Sequence, residues 1–418
     1  MHALVIFAAA LIVRLIHIWQ IRPSPFFDVL MGDAKGYDLW ARTLAAGDWI
    51  GSDVFYQAPL YPYFLGGLYA IAGRDLLIVR VVQALIGSAS CALLGMAGAR
   101  LFSPRVGLIA GLALALWAPA IFFDGLLQKS VLDMFLVCLG LYLMSIIAGN
   151  RPAAAREASY GEVAPEQPSG REGGEPGAGS RTAWLGLGAA MGALALTREN
   201  ALVFIGVILV WAWVRHSRPV AIPAFVLGLT IVLTPVVIRN YAVDGGFYLT
   251  TSQFGSNFYI GNNPGADGTY ASIRFGRGAP EFERVDAKEV AEASVGRALT
   301  PSEVSSYWTG RALGYITSQP LDWLRLTGRK VLLLVNRTEM LDTESLESHA
   351  EWSAPIAVLS WVGHFGILAP LAVLGMLVTW REKRLWILHA LTITYAASVV
   401  MFFVFARYRY PLVPLLIL

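Results

Sequence analysis

Long apolar runs recur along this chain more often than any soluble core could absorb, and they fix its class before a single motif is read. They lie near residues 3–20, 79–100, 106–123, 131–148, 183–197, 200–214, 220–238, 354–379 and 385–405. A helix needs roughly 20 such residues to cross a hydrocarbon core. A further run begins at Pro411, and the sequence stops at Leu418. Those residues rise only about 12 Å as a helix, so the chain is expected to end inside a span, as a fragment would. Only 15% of the residues are charged and 56% are hydrophobic, too little charge to wet a soluble surface. The expectation is an all-α polytopic membrane protein, a bundle of about ten transmembrane helices with a small extracytoplasmic segment of mixed structure.

Orientation follows from the short basic connections. Arg100 and Arg105, then Arg215, His216 and Arg218, then Arg381, Lys383 and Arg384 all fall on one side if the N-terminus is cytoplasmic. Residues 1–20 lack a small-residue cleavage site and read as a first span. An N-terminal transmembrane module (1–238) then carries a first outer loop (21–78) and a cytoplasmic linker (150–181). That linker is rich in Gly, Pro, Glu and Ala and has too little to bury to fold, so disorder is expected. Residues 239–353 form an extracytoplasmic segment, and 354–418 a C-terminal transmembrane module. The aromatic and proline-rich stretch Val54–Phe64 suits short helices at the membrane interface, and a helical stretch from Tyr307 to Asn336 could lie along it.

This topology exposes an anomaly. Lys129, Arg198, Arg239, Arg407 and Arg409 all fall at outer helix ends, the side that disfavours positive charge. Any one could snorkel; five together point to a shared anion, and the planar Arg fork suits phosphate. Carboxylates collect on the same side: Asp33 and Asp38 after the first span, Asp124 in the next outer turn, and Asp133 one helical turn beyond Lys129. Such a group could serve as general base or as counter-ion. His17, His364 and His389 read as packed or snorkelling residues. No HExxH, Walker A, GxSxG or GxGxxG stands in a supporting context. Cys91 and Cys138 lie inside apolar runs and imply neither a disulfide nor a zinc site. The formal charge of +3 gives no reason to expect nucleic acid.

Several ordered segments carry a resemblance. They are Asp33 with Tyr37, Ala45–Trp49, Ala58-Pro59-Leu60-Tyr61-Pro62 before Gly66, Arg80–Leu85, Asp124–Lys129, Leu196–Asn200, Thr234-Pro235 with Arg239-Asn240, Asn257–Pro264 and Arg407–Pro411. In this order the chain resembles the GT-C class of membrane glycosyltransferases, above all glycosyltransferase family 39. That family includes the protein O-mannosyltransferases and the lipid A aminoarabinose transferases. The resemblance implies a GT-C-like bundle in a bacterial inner membrane. It also implies an inverting transfer, on the extracytoplasmic side, from a polyprenyl-phosphate sugar donor to an acceptor protein, lipid or glycan. Asp33 matches the family's acidic base, with Asp124 and Asp133 both claimants to a second acidic role. Lys129, Arg198 and Arg407 or Arg409 match its lipid-phosphate contacts, and Tyr37, Gln57, Tyr61, Arg239 and Asn262 complete the expected substrate-binding set. Gln57 departs from relatives that carry Lys there. No protein ligand set fixes a metal; the resemblance leaves a divalent cation open. A transporter or flippase of lipid-linked sugars is the rival reading, though repeats and mid-membrane helix breaks are lacking in the sequence.

Overall fold

A computed structural model describes residues 1–149, 178–215, 221–278, 280–340 and 343–418. Among them helices and turns account for the whole architecture, with no strand. Most of the expected linker over 150–181 lies outside the described residues; from Ala178 onward the chain is helical.

The apolar helices are α1 (His2–Ile21), α4 (Leu76–Leu101), α5 (Pro104–Ala115) with α6 (Ala118–Gly125), α7 (Ser130–Gly149), α8 (Ala178–Ala195), α9 (Leu202–Arg215), α10 (Ala221–Asp244), α15 (Phe365–Thr379) and α16 (Trp386–Met401). Five segments have the length and composition of a membrane span: α1, α4, α7, α10 and Lys383–Met401. The bent pair α5–α6 makes a sixth. Fewer full-length spans thus stand among the described residues than the roughly ten expected, because apolar runs break. Pro119 cannot donate a backbone hydrogen bond, and α5 and α6 meet just before it at 53°. The run 354–379 is interrupted between a short helix, Ala354–Leu359, and α15. There Gly363 passes so close to α6 that a Cβ would meet the Ala118 nitrogen at 2.9 Å.

Local chemistry sets several boundaries. Asp75 caps α4 by accepting from Leu77 N and Ile78 N at 2.8 and 3.1 Å. Ser103 caps α5, with Pro104 in its first turn. Where α8 crosses α10, a Cβ on Gly188 would strike the Phe225 carbonyl and one on Gly228 the Leu185 carbonyl. Small residues let these backbones touch, the usual device between membrane helices.

The two segments expected on the outer side gather at one end of the bundle. The first loop folds into α2 (Gly32–Ala45) and α3 (Leu60–Ala72). The second folds into α11 (Phe254–Gly261), α12 (Pro280–Val295), α13 (Pro301–Ser318) and α14 (Pro320–Val335). Their described residues are helix and turn where mixed structure was expected. Leu60 N donates to Leu196 O at 3.0 Å, tying the first segment to the end of α8, while Ser252 N to Phe55 O at 3.0 Å and Asn240, between Phe55 N and Thr250 O, tie the two segments to each other.

Candidate functional site

Asp33 sits in the first turn of α2, just after Gly32, whose φ of 51° is a left-handed value that suits glycine. A Cβ at Gly32 would also collide with Thr343. The carboxylate is buried. Its Oδ2 pairs with the Arg407 guanidinium, and its Oδ1 accepts from Gln57 Nε2 at 3.3 Å. Burial pushes this carboxyl up, but Arg407 beside it prevails, helped by Lys129 and Gln57, and holds it below the usual aspartate value. Asp33, Gln57, Lys129, Arg407 and Tyr408 line a polar cavity of about 70 Å³, together with Glu283 from α12.

Lys129 closes the turn before α7. Arg80 and Gln83, one helical turn apart on α4, build that turn: Arg80 Nε donates to Gly125 O at 2.9 Å, and Gln83 Nε2 to Asp124 O and Leu126 O at 3.0 and 2.6 Å. The Lys129 ammonium is buried and within 4 Å of no carboxylate among the described residues. Burial pulls its pKa down, with Glu199 opposing. Beyond Lys129 lies a second cavity of about 130 Å³, lined by Arg198, Glu199, Thr251 and Phe402 among others. The two cavities share Lys129, Gln253, Asn257 and Tyr408.

Arg198 pairs with the fully buried Asp133 at 2.7 Å. The Tyr408 ring lies 5.0 Å from the Arg198 guanidinium and 5.3 Å from that of Arg407, so one aromatic ring spaces both cations. Glu199 accepts from Thr251 Oγ1 at 2.6 Å and Gln253 Nε2 at 2.9 Å. These bonds tie the end of α8 to the segment that follows residue 239.

Other expected site residues stand apart, their polar groups spent on the fold. Asp124 is locked to Arg14 at 2.6 Å between α6 and α1. Tyr61 donates to Gln83 Oε1 at 2.6 Å and meets Tyr37 edge-on at 5.2 Å, under α2. Asn262 donates to Phe258 O and Met401 O and accepts from Trp323 and Lys330. Arg409 points away from Arg407, paired with Glu339 at 2.9 Å and donating to the carbonyls of Leu333, Leu334, Asn336 and Thr338. Arg239 holds the first loop through Ile50 O at 2.7 Å and Asp53 O at 2.6 Å, its guanidinium over Phe55. It borders a third, much larger cavity of about 850 Å³ over α2, which Gly32 and Gln57 separate from Asp33.

Glu199, Gln253, Asn257, Tyr408 and Glu283 were not singled out from sequence. Glu199, Asn257 and Tyr408 lie inside segments that carried the resemblance, which was the available signal. Among the described residues no three His, Cys, Asp or Glu side chains converge as a metal site would require.

The fold and this site define a multi-pass, all-α membrane protein with a buried, cation-rich chamber at one end of its helices. No protein-family model and no curated protein sequence matches the chain. Among solved structures it is similar to the Saccharomyces cerevisiae protein O-mannosyltransferase Pmt1–Pmt2 complex bound to the sugar donor. The identity is 13%, over 65% of this chain and 38% of that one, with a TM-score of 0.42. ArnT from Cupriavidus metallidurans bound to undecaprenyl phosphate is similar at 16% identity, over 99% and 77%, with a TM-score of 0.43. The Archaeoglobus fulgidus oligosaccharyltransferase tethered to an acceptor peptide is similar at 14%, over 99% and 48%, with a TM-score of 0.45. The chain thus spans 38% of the first and 48% of the third.

Proposed function

We propose that the protein is a GT-C-type glycosyltransferase of the bacterial inner membrane. In this reading it moves a sugar from a polyprenyl-phosphate donor to an acceptor on the extracytoplasmic face, with inversion. One observation carries the reading. Asp33, Lys129, Arg198 and Arg407, drawn from four distant segments, converge on two adjoining cavities that share Lys129 and Tyr408.

The donor phosphate fits the Lys129–Arg198 side, where Phe254, Phe402 and Leu202 give an apolar border for the prenyl chain. The sugar then lies toward Asp33. The acceptor hydroxyl or amine approaches from the large cavity, past Gln57. Asp33 takes its proton as the new bond to the anomeric carbon forms on the face opposite the phosphate. The sugar–oxygen bond breaks, and polyprenyl phosphate leaves with both electrons. Its growing charge is stabilised by fixed cations in a site where water is scarce, more strongly than the ground state is. In the resting site Arg407 neutralises Asp33. An arriving phosphate competes for that guanidinium, which frees the carboxylate to act as a base.

The test is transfer from a labelled polyprenyl-phosphate sugar in reconstituted membranes. Asp33→Asn should lower transfer by roughly 10²–10⁴-fold while donor still binds. Wild-type transfer by that variant would overturn the assignment. Intact donor crossing the bilayer without transfer would favour the flippase reading instead.

A further inference from the structure

Helix α14 carries a face that the chamber does not use. Its inner side is pinned: Leu326, Lys330 and Leu334 are buried, Trp323 Nε1 and Lys330 Nζ donate to Asn262 Oδ1 at 3.0 and 3.2 Å, and Arg409 grips the carbonyls of Leu333 and Leu334. These bonds fix the rotation of the helix about its axis. The opposite side presents Leu321, Leu324, Val331, Leu332 and Val335, with Leu332 70% exposed. At 100° per residue these five fall on one stripe with Gly328 among them. One edge of the stripe carries exposed Arg325 and Arg329, against the single carboxylate of Asp322, which pairs with Arg325 at 2.8 Å.

Continuity identifies what covers this stripe. Helix α14 packs against α15 and α16, and Arg337, just past its end, abuts Gly366 at the start of α15. The outward side of α15 is likewise aliphatic and exposed, through Ile367, Leu371, Leu374 and Leu377. Helix α16, on which α14 also packs, belongs to a segment long and apolar enough to cross a membrane, so α14 is held against the bundle at a membrane-spanning helix. A helix with an aliphatic face, a basic edge and no freedom to roll has the features of an interfacial anchor. Arginine at headgroup depth favours anionic lipid.

We propose that α14 lies in the outer surface of the bilayer, its aliphatic stripe in the acyl boundary and Arg325 and Arg329 on the phosphates of anionic lipids. This role is independent of sugar transfer. It can be tested in the full chain, with Cys91 and Cys138 replaced by alanine, in phosphatidylcholine–phosphatidylglycerol nanodiscs. Spin labels at Leu324→Cys and Leu332→Cys should relax more with oxygen than with a water-soluble nickel chelate, and one at Asp322→Cys the reverse. Preference for the chelate at all three sites would overturn the proposal, as would label–label broadening that shows a second copy on the face. For the basic edge, a fluorophore at Gly328→Cys should be quenched more by nitroxide-labelled phosphatidylglycerol than by labelled phosphatidylcholine. The preference should be roughly fivefold per arginine at low salt and should vanish in Arg325→Gln/Arg329→Gln. Equal quenching by both lipids before substitution would refute headgroup recognition.

Discussion

Arg407→Gln isolates what one guanidinium does for Asp33. The two side chains are only 10% and 7% exposed, so neither is relieved by solvent. In the wild type, burial raises the carboxyl and Arg407 more than offsets it, leaving the group below its ordinary 3.8. Loss of an adjacent opposite charge is worth about 1–3 pKa units, or about 1.4–4 kcal/mol at 1.36 kcal/mol per unit. With Arg407 gone, Lys129 and Gln57 face the burial penalty alone, and the folded value should rise above the unfolded one. The sign of the pH dependence then reverses. A depressed carboxyl lends stability above its unfolded value, and that stability is lost as pH falls through the folded value; a raised one costs stability as pH rises through it. Thermal unfolding of the detergent-solubilised protein, scanned from roughly pH 3 to 7, reads the difference. The gap between wild type and variant should widen from acid to neutral pH by about 1.4–4 kcal/mol. It should stay flat when Arg407→Gln is compared with wild type in an Asp33→Asn background. A gap independent of pH, or one unchanged by Asp33→Asn, would refute the pairing as the source of the carboxyl's acidity.

Two further substitutions separate chamber from scaffold. Lys129→Ala should raise the apparent Kd for a polyprenyl-phosphate donor about 10–100-fold, the size of a hydrogen bond to a charged group, and leave the KM for acceptor unchanged; the two constants come from separate titrations, and a shift in acceptor KM alone would displace Lys129 from the phosphate. Asp124→Asn should act on folding and not on chemistry: it leaves the buried Arg14 unpaired, a loss of about 3–5 kcal/mol, so the unfolding midpoint falls while kcat per folded molecule holds. A collapse of kcat at unaltered stability would return Asp124 to the catalytic set.

What the sequence made legible follows the range of the forces involved. Membrane segments declare themselves because each must satisfy its own backbone and match lipid along its length. Their interruptions are less visible: the break before α15 falls where Gly363 closely approaches α6, more than 200 residues earlier in the chain. Charge placement at helix ends singled out Lys129, Arg198, Arg239, Arg407 and Arg409; the fold draws Lys129 and Arg407 beside Asp33 and Arg198 onto the adjoining cavity, while Arg239 and Arg409 stand apart. The same reasoning could not separate Arg407 from Arg409. They are two residues apart in a single helical turn, Ala406–Arg409, and so point to different sides. One meets Asp33; the other spends its donors on backbone carbonyls between Leu333 and Thr338.

That divergence bears on how a site of the proposed kind could hold buried cations between donor molecules. Burying a charge without a partner is costly. Arg14, Arg198 and Arg409 meet that demand permanently, through Asp124, Asp133 and Glu339. Arg407 meets it through Asp33, the group proposed to do the chemistry. On the proposed function, the pair would combine a binding site for an anion with a base for a proton, and a phosphate that takes the guanidinium would release the carboxylate in the same event. Coupling of this kind would make nucleophile activation conditional on donor occupancy. It would also keep Asp33 weakly basic until a donor arrives.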